Sequence, residues 1–184
     1  IEDCAEAIGT RFGDKHVGLF GDIGTFSFFG NKTITTGEGG MVTMKSLELY
    51  RKARLFRNQS VSPDRTYWHE TIGYNYRMTN ICAAIGVAQL EQVNQFLIRK
   101  REIASLYRRH MDDLPIGFHV EADGTTHSFW MCSILVPNPE QREALRDYLL
   151  ARDVETRPVF HPVHVMPVFF EPRNYPVAEA ISSC

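Results

Sequence analysis

Residues 25–32 read Thr-Phe-Ser-Phe-Phe-Gly-Asn-Lys, and the next eight read Thr-Ile-Thr-Thr-Gly-Glu-Gly-Gly. An apolar aromatic run of this kind predicts a β-strand, and the polar turn after it carries a single lysine. Gly37-Glu38-Gly39-Gly40 then predicts a tight turn that returns the chain into a second strand, Gly40–Met44. The fold around Lys32 is therefore tightly constrained: strand, short loop, strand. Glycines and hydroxyls hem the lysine, so its ammonium can lose water there and its amine can attack a carbonyl. The alternative is a lysine on an ordinary strand-to-loop turn.

Elimination singles out the same residue. The chain has five lysines: Lys15, Lys32, Lys45, Lys52 and Lys100. Lys15 sits in a Gly-Asp-Lys-His turn, and Lys45 just precedes a helix start. Lys52 and Lys100 lie among arginines on helical patterns, as solvated surface charges do. Only Lys32 has apolar, glycine-rich flanks on both sides.

Two further positions bear on a carbonyl cofactor with a pyridine ring. Asp3 opens a small-residue segment, Asp3-Cys4-Ala5-Glu6-Ala7, and could supply the carboxylate that keeps a ring nitrogen protonated. That role requires the chain to have just left a parallel strand, since α/β proteins bind ligands at the carboxyl ends of their strands. Otherwise Asp3 caps a short helix through Ile8. Ser27 shares a strand face with Thr25 and Phe29 and offers a hydroxyl for a phosphate; an exposed strand face would also place a serine there. A pyridoxal-phosphate enzyme is the leading reading.

Together these residues resemble the DegT/DnrJ/StrS family of pyridoxal-phosphate-dependent nucleotide-sugar aminotransferases. The resemblance runs through Ile1–Gly9, Gly21–Phe28, Asn31-Lys32, Gly37–Val42, Gly73-Tyr74-Asn75-Tyr76-Arg77-Met78-Thr79 and Ala83–Leu90, in that order. It covers residues 1 to about 114, with a looser likeness beyond. The wording of Glu-Asp-Cys-Ala-Glu-Ala and Ser-Phe-Phe-Gly-Asn-Lys-Thr-Ile-Thr looks most like a branch that aminates GDP-4-keto-6-deoxymannose with glutamate as donor.

The resemblance implies an α/β, fold type I transferase of the aspartate aminotransferase kind. Residues 1–114 would be the C-terminal part of its large domain with linking helices, and residues 115–184 a truncated small α+β domain. Lys32 would carry pyridoxal 5'-phosphate covalently and shuttle protons. Asp3 would pair with the pyridine nitrogen, and Glu6 would lie against the ring where many relatives have glutamine. Ser27 would bind the phosphate, and Asn75 would reach the phosphate in a neighbouring subunit, making a homodimer. Relatives with histidine in place of the lysine are dehydratases; Lys32 favours transamination. The product would serve polysaccharide or O-antigen biosynthesis. The resemblance also implies an incomplete gene product lacking an N-terminal half. Alternatives are a UDP- or dTDP-linked keto sugar as substrate, or a non-catalytic cofactor-binding regulator.

Composition limits the other classes. With 43% hydrophobic and 23% charged residues, the chain reads as an ordinary globular protein. A net charge of -2 gives no case for nucleic acid or an anionic membrane as partner. The four cysteines, Cys4, Cys82, Cys132 and Cys184, lack paired spacing and read as reduced thiols of a cytoplasmic protein. His161 and His164 are three apart, but Pro162 forbids the helix that would align them on a metal; no metal is expected.

Along the chain, Ser46 is a predicted N-cap for a helix over Leu47–Phe56. Ser60 stands where a relative would usually have glycine. Helical spacing continues from Ile81 through Tyr107, with a bend expected at Asn94-Gln95. Ser128–Val136 and Val154–Arg157 read as strands, and Asn138-Pro139 as the start of a helix carrying Ala144, Leu145, Tyr148 and Leu149.

Overall fold

The aromatic segment forms a strand because its residues alternate between two environments. In a computed structural model, which describes residues 1–184, the chain runs β1 (Glu2–Asp3), β2 (Arg11–Phe12), β3 (Lys15–His16), β4 (Ile23–Ser27), β5 (Gly40–Met44) and α1 (Leu47–Arg57). There follow α2 (Asn80–Glu91), α3 (Val93–Met111), β6 (Gly117–Phe118), β7 (Thr125–Thr126), β8 (Ile134–Leu135), α4 (Pro139–Leu150) and α5 (Pro176–Ser183). The residues divide into two compact units, Ile1–Ser105 with Glu121–Met131, and Leu106–Val120 with Cys132–Cys184.

The first unit is built on the mixed sheet β1-β4-β5. β1 runs parallel to β4, with Glu2 beside Gly24 and Asp3 beside Thr25. β5 returns antiparallel, so that Ser27 faces Gly40. The turn between them closes through the Phe28 N–H on the Gly39 carbonyl and the Thr36 hydroxyl on the Glu38 carbonyl. A second small sheet joins β2 to both β3 and β7. Cys4, Phe28, Ile34, Ala104 and Phe129 form the buried apolar centre of this unit.

Helix starts follow local chemistry. The Ser46 hydroxyl accepts from the Leu49 N–H and that of Thr79 from the Cys82 N–H, caps worth about 1 kcal/mol each. The helical run after Ile81 breaks at Gln92, two residues before the expected bend, and α2 and α3 meet at 61°. No single helix is long and apolar enough to cross a membrane.

In the second unit, β6 pairs antiparallel with β8, and Asn138 caps α4 ahead of Pro139. The strand expected over Ser128–Val136 is confined to Ile134–Leu135. Upstream, Phe129 takes a positive φ of 48°, which breaks the extended run. Val154–Arg157 forms no strand, since a strand requires a hydrogen-bonded neighbour and this segment pairs with none. The short helix through Ile8 is replaced by turns, closed by Ala7 N–H on the Cys4 carbonyl and Thr10 N–H on the Ala7 carbonyl. Helix α5 lies where no element was expected.

Candidate active site

Register decides which side chains share a face. In a parallel pair, side-by-side residues point the same way, and successive residues alternate. Glu2, Gly24 and Phe26 thus face one side, while Asp3, Thr25 and Ser27 face the other. The first side is covered by the loop after β3. Gly18, at φ +86°, would drive a Cβ to 2.4 Å from the Phe26 ring, so only glycine lets the loop lie that close. The loop is pinned by Glu2, whose carboxylate accepts the Gly21 N–H at 2.5 Å and the Gly18 N–H at 2.7 Å. These two donors, Gly21 foremost, hold the Glu2 carboxyl below the ordinary carboxylate range. Burial raises the neighbouring Cys4 thiol, with Glu2 and Asp3 adding to the effect.

The opposite side carries the candidate chemistry. Asp3 ends β1 and is exposed. Its Oδ1 accepts the Ala5 N–H at 3.0 Å, turning the chain sharply out of the strand. Ser27 ends β4, and its Oγ accepts the Phe29 N–H at 3.3 Å, leaving the hydroxyl proton free to be donated elsewhere. Both residues therefore stand at the carboxyl ends of adjacent parallel strands.

The loops that leave those two strand ends converge. Glu6 follows β1, Lys32 follows β4, and the Lys32 Nζ lies 3.1 Å from Glu6 Oε1. The Lys32 side chain is 13% exposed and that of Glu6 41% exposed. The lysine side chain is largely covered, and its amine is not isolated. Besides the carboxylate, it lies 4.4 Å from the centroid of the Trp130 ring. The Trp130 indole N–H donates to the Asn31 carbonyl at 2.8 Å.

Trp130 was invisible as a site residue in the sequence, where it reads as one apolar position in a strand. Its placement follows from contacts distant along the chain. The Ser128 N–H and hydroxyl meet Thr10 Oγ1 at 3.2 and 3.0 Å, and the Lys100 ammonium donates to the Trp130 carbonyl at 3.1 Å. Arg101 grips Glu121 through two hydrogen bonds and also donates to the His127 carbonyl. The Arg101 guanidinium draws the Glu121 carboxyl down to about 2.

Asn75 stands apart from this group. It bridges to Asn58 beside the end of α1, and Tyr74 and Tyr76 stack on one another at 5.1 Å. Alternation turns Asn75 the other way, where it is exposed and makes no side-chain hydrogen bond to Asp3, Glu6, Ser27 or Lys32. His161 and His164 belong to the second unit. His164 pairs with Glu179 at 2.9 Å, and no group of three metal-ligating side chains exists in the chain.

Comparison with known proteins adds to this geometry. Residues 1–183 match the model of the DegT/DnrJ/EryC1/StrS aminotransferase family. The chain is 55% identical over 180 residues to a GDP-perosamine synthase of Escherichia coli O157:H7, covering 97% of the chain and 49% of that protein. It is 51% identical to a GDP-perosamine synthase of Vibrio cholerae, covering 92% of the chain and 47% of that protein. Among solved structures, the aminotransferase TlmJ from Streptoalloteichus hindustanus superposes with a TM-score of 0.92 at 26% identity, over 99% of this chain and 50% of that one. The chain thus spans about half the length of the curated relatives it matches.

Proposed function

Given that the chain belongs to the DegT/DnrJ/EryC1/StrS aminotransferase family, we propose that the protein is a transaminase moving the amino group of glutamate to the C4 keto group of GDP-4-keto-6-deoxymannose. Its fold is the α/β fold of type I pyridoxal-phosphate-dependent transferases, and pyridoxal 5'-phosphate is the family's cofactor. The substrate reading is supported by the two relatives named GDP-perosamine synthase.

The observation that carries the proposal is the meeting of Lys32 with Glu6 at 3.1 Å, in the loops that leave the two parallel strands ending at Asp3 and Ser27. The residues fit the cofactor's chemistry: a primary amine for its aldehyde, a carboxylate for its pyridine nitrogen, and a hydroxyl donor for its phosphate. When bound, the cofactor supplies a carbonyl that accepts an amino group and a ring that withdraws electrons. Asp3 would hold the proton on the ring nitrogen. Ser27 would donate its free hydroxyl proton to the phosphate. Lys32 would carry a proton to and from the substrate carbon, as a general acid and base within reach of both half-reactions. Glu6 would keep the lysine amine on one side of the site between transfers.

Asn75 is proposed to reach the phosphate in a second copy of the chain, so the active form would be a homodimer. Its exposed, unengaged side chain supports that reading. The product is proposed to enter cytoplasmic synthesis of polysaccharide or O-antigen sugars.

The test is to add glutamate to the intact, cofactor-loaded protein and follow the absorbance of the bound cofactor, then offer a panel of nucleotide-linked 4-keto sugars. Glutamate should bleach the visible-violet band, and the GDP-linked sugar should restore it fastest. A band that glutamate never bleaches would contradict transamination and indicate a cofactor-binding regulator. Faster restoration by a UDP- or dTDP-linked sugar would contradict the substrate assignment.

A further inference from the structure

The Lys32 amine serves transamination only if it stays over the reacting carbon while free of any covalent bond. An ammonium on a flexible four-carbon stem has considerable rotamer freedom to lose, so something must hold it. The backbone alone cannot: the Lys32 N–H on the Phe29 carbonyl at 3.0 Å and the Thr36 N–H on the Phe28 carbonyl at 2.9 Å close the loop but leave the tip of the side chain unheld.

We propose that Trp130 is a positioning residue for Lys32, fixing both the loop that carries the lysine and the tip of its side chain. The inference rests on the reading of Lys32 as the transaminating amine. One indole makes both contacts. Its N–H holds the carbonyl of Asn31, the residue just before Lys32, at 2.8 Å, and its face lies 4.4 Å from the Lys32 Nζ. A ring face attracts a nearby cation without donating or accepting a proton. It therefore seats the amine without competing for the proton that the amine must transfer. Glu6, on the amine at 3.1 Å, supplies the polar contact.

Trp130 is itself braced from several directions. The Lys100 ammonium holds its carbonyl, Thr10 holds Ser128, and the Phe129 N–H donates to His127 Nδ1 at 3.0 Å. Phe129, buried at positive φ, is the kink that swings Trp130 toward Lys32. The Arg101 guanidinium stands 5.5 Å from the Phe129 ring centroid and donates to the His127 carbonyl. These contacts make the indole a fixed surface, and a fixed surface is what shortens the search of a mobile side chain.

The experiment compares wild type with Trp130→Leu and Trp130→Phe in the intact protein. Limiting acetic anhydride is applied at one pH to the cofactor-free form, and peptide mass spectrometry reads the labelling of Lys32 relative to Lys45, whose ammonium is held by the Phe20 carbonyl. In Trp130→Leu, Lys32 labelling should rise severalfold relative to Lys45. In the loaded enzyme kcat should fall about tenfold, with KM for glutamate within about twofold of wild type. Trp130→Phe keeps a ring face and loses the N–H, so both values should lie between the extremes; this variant also serves if the leucine variant does not fold. Unchanged Lys32 labelling and kcat in both variants would overturn the positioning role while leaving Lys32 itself standing. Cofactor attachment to a different lysine in wild type would overturn the reading of Lys32 and this proposal with it.

Discussion

Glu6 and Lys32 meet at 3.1 Å although 26 residues separate them in sequence. They meet because each follows one of two parallel strands that end side by side. Glu6→Gln keeps an oxygen at this position and removes the charge, whereas Glu6→Leu removes both. We expect kcat in Glu6→Gln to stay within about threefold of wild type and in Glu6→Leu to fall about tenfold or more, measured at saturating glutamate. Equal losses in the two variants would show that the charge, not the hydrogen bond, holds the amine.

Asp3 has separable structural and chemical parts. Its Oδ1 accepts the Ala5 N–H, a contact that Asn can reproduce. Asp3→Asn should therefore leave the melting temperature within about 2 °C of wild type while lowering kcat by at least about 10²-fold, because a neutral amide cannot stabilise a protonated ring nitrogen. Wild-type turnover in this variant would remove Asp3 from the site.

Ser60 adopts a φ of +53° with its side chain fully buried, and its hydroxyl finds no partner in the chain. It packs against Gly73, where an added Cβ would stand 2.4 Å from the Ser60 N and Oγ. Left-handed backbone and a buried unpaired hydroxyl each cost about 1–2 kcal/mol, against about 1 kcal/mol of added freedom for glycine in the unfolded chain. Ser60→Gly should raise unfolding stability by about 1 kcal/mol in a urea titration. A loss of stability would mean that the hydroxyl is engaged.

Glu121 predicts an acid-side change. Its carboxyl is drawn from 4.5 to about 2, first by the hydrogen bond from Arg101. A depressed carboxyl contributes stability above its unfolded value and loses it as pH falls toward the folded one. Since both side chains are about a third exposed, solvent reduces the contribution to about 1 kcal/mol. Wild type should lose that increment between pH 4.5 and about 2, and Glu121→Gln should lack it. Parallel stability curves for the two proteins would contradict the assignment.

Locally encoded features were legible in the sequence. The β4–turn–β5 unit follows from aromatic alternation and the Gly37–Gly40 turn, and the starts of α1 and α4 follow from Ser46 and Asn138-Pro139. The departure at Ser60 was visible as a serine where glycine suits the loop, and its positive φ supplies the physical reason. Features that depend on distant partners were not legible. Trp130 reaches Asn31 across 99 positions, and the kink at Phe129 that permits this contact has no glycine or proline to announce it. Val154–Arg157 carries strand-like residues, but no neighbouring strand is there to pair with it. The apolar spacing through α2 and α3 located helix, and Asn94-Gln95 placed the bend two residues past the break at Gln92.

The most direct test of Lys32 is borohydride reduction of the intact protein loaded with pyridoxal 5'-phosphate, followed by peptide mapping. The cofactor should be fixed to the peptide containing Lys32, and Lys32→Ala should show neither the violet absorbance nor the adduct. An adduct on any other side chain, or a Lys32→Ala protein that still transfers amino groups from glutamate, would contradict the mechanism.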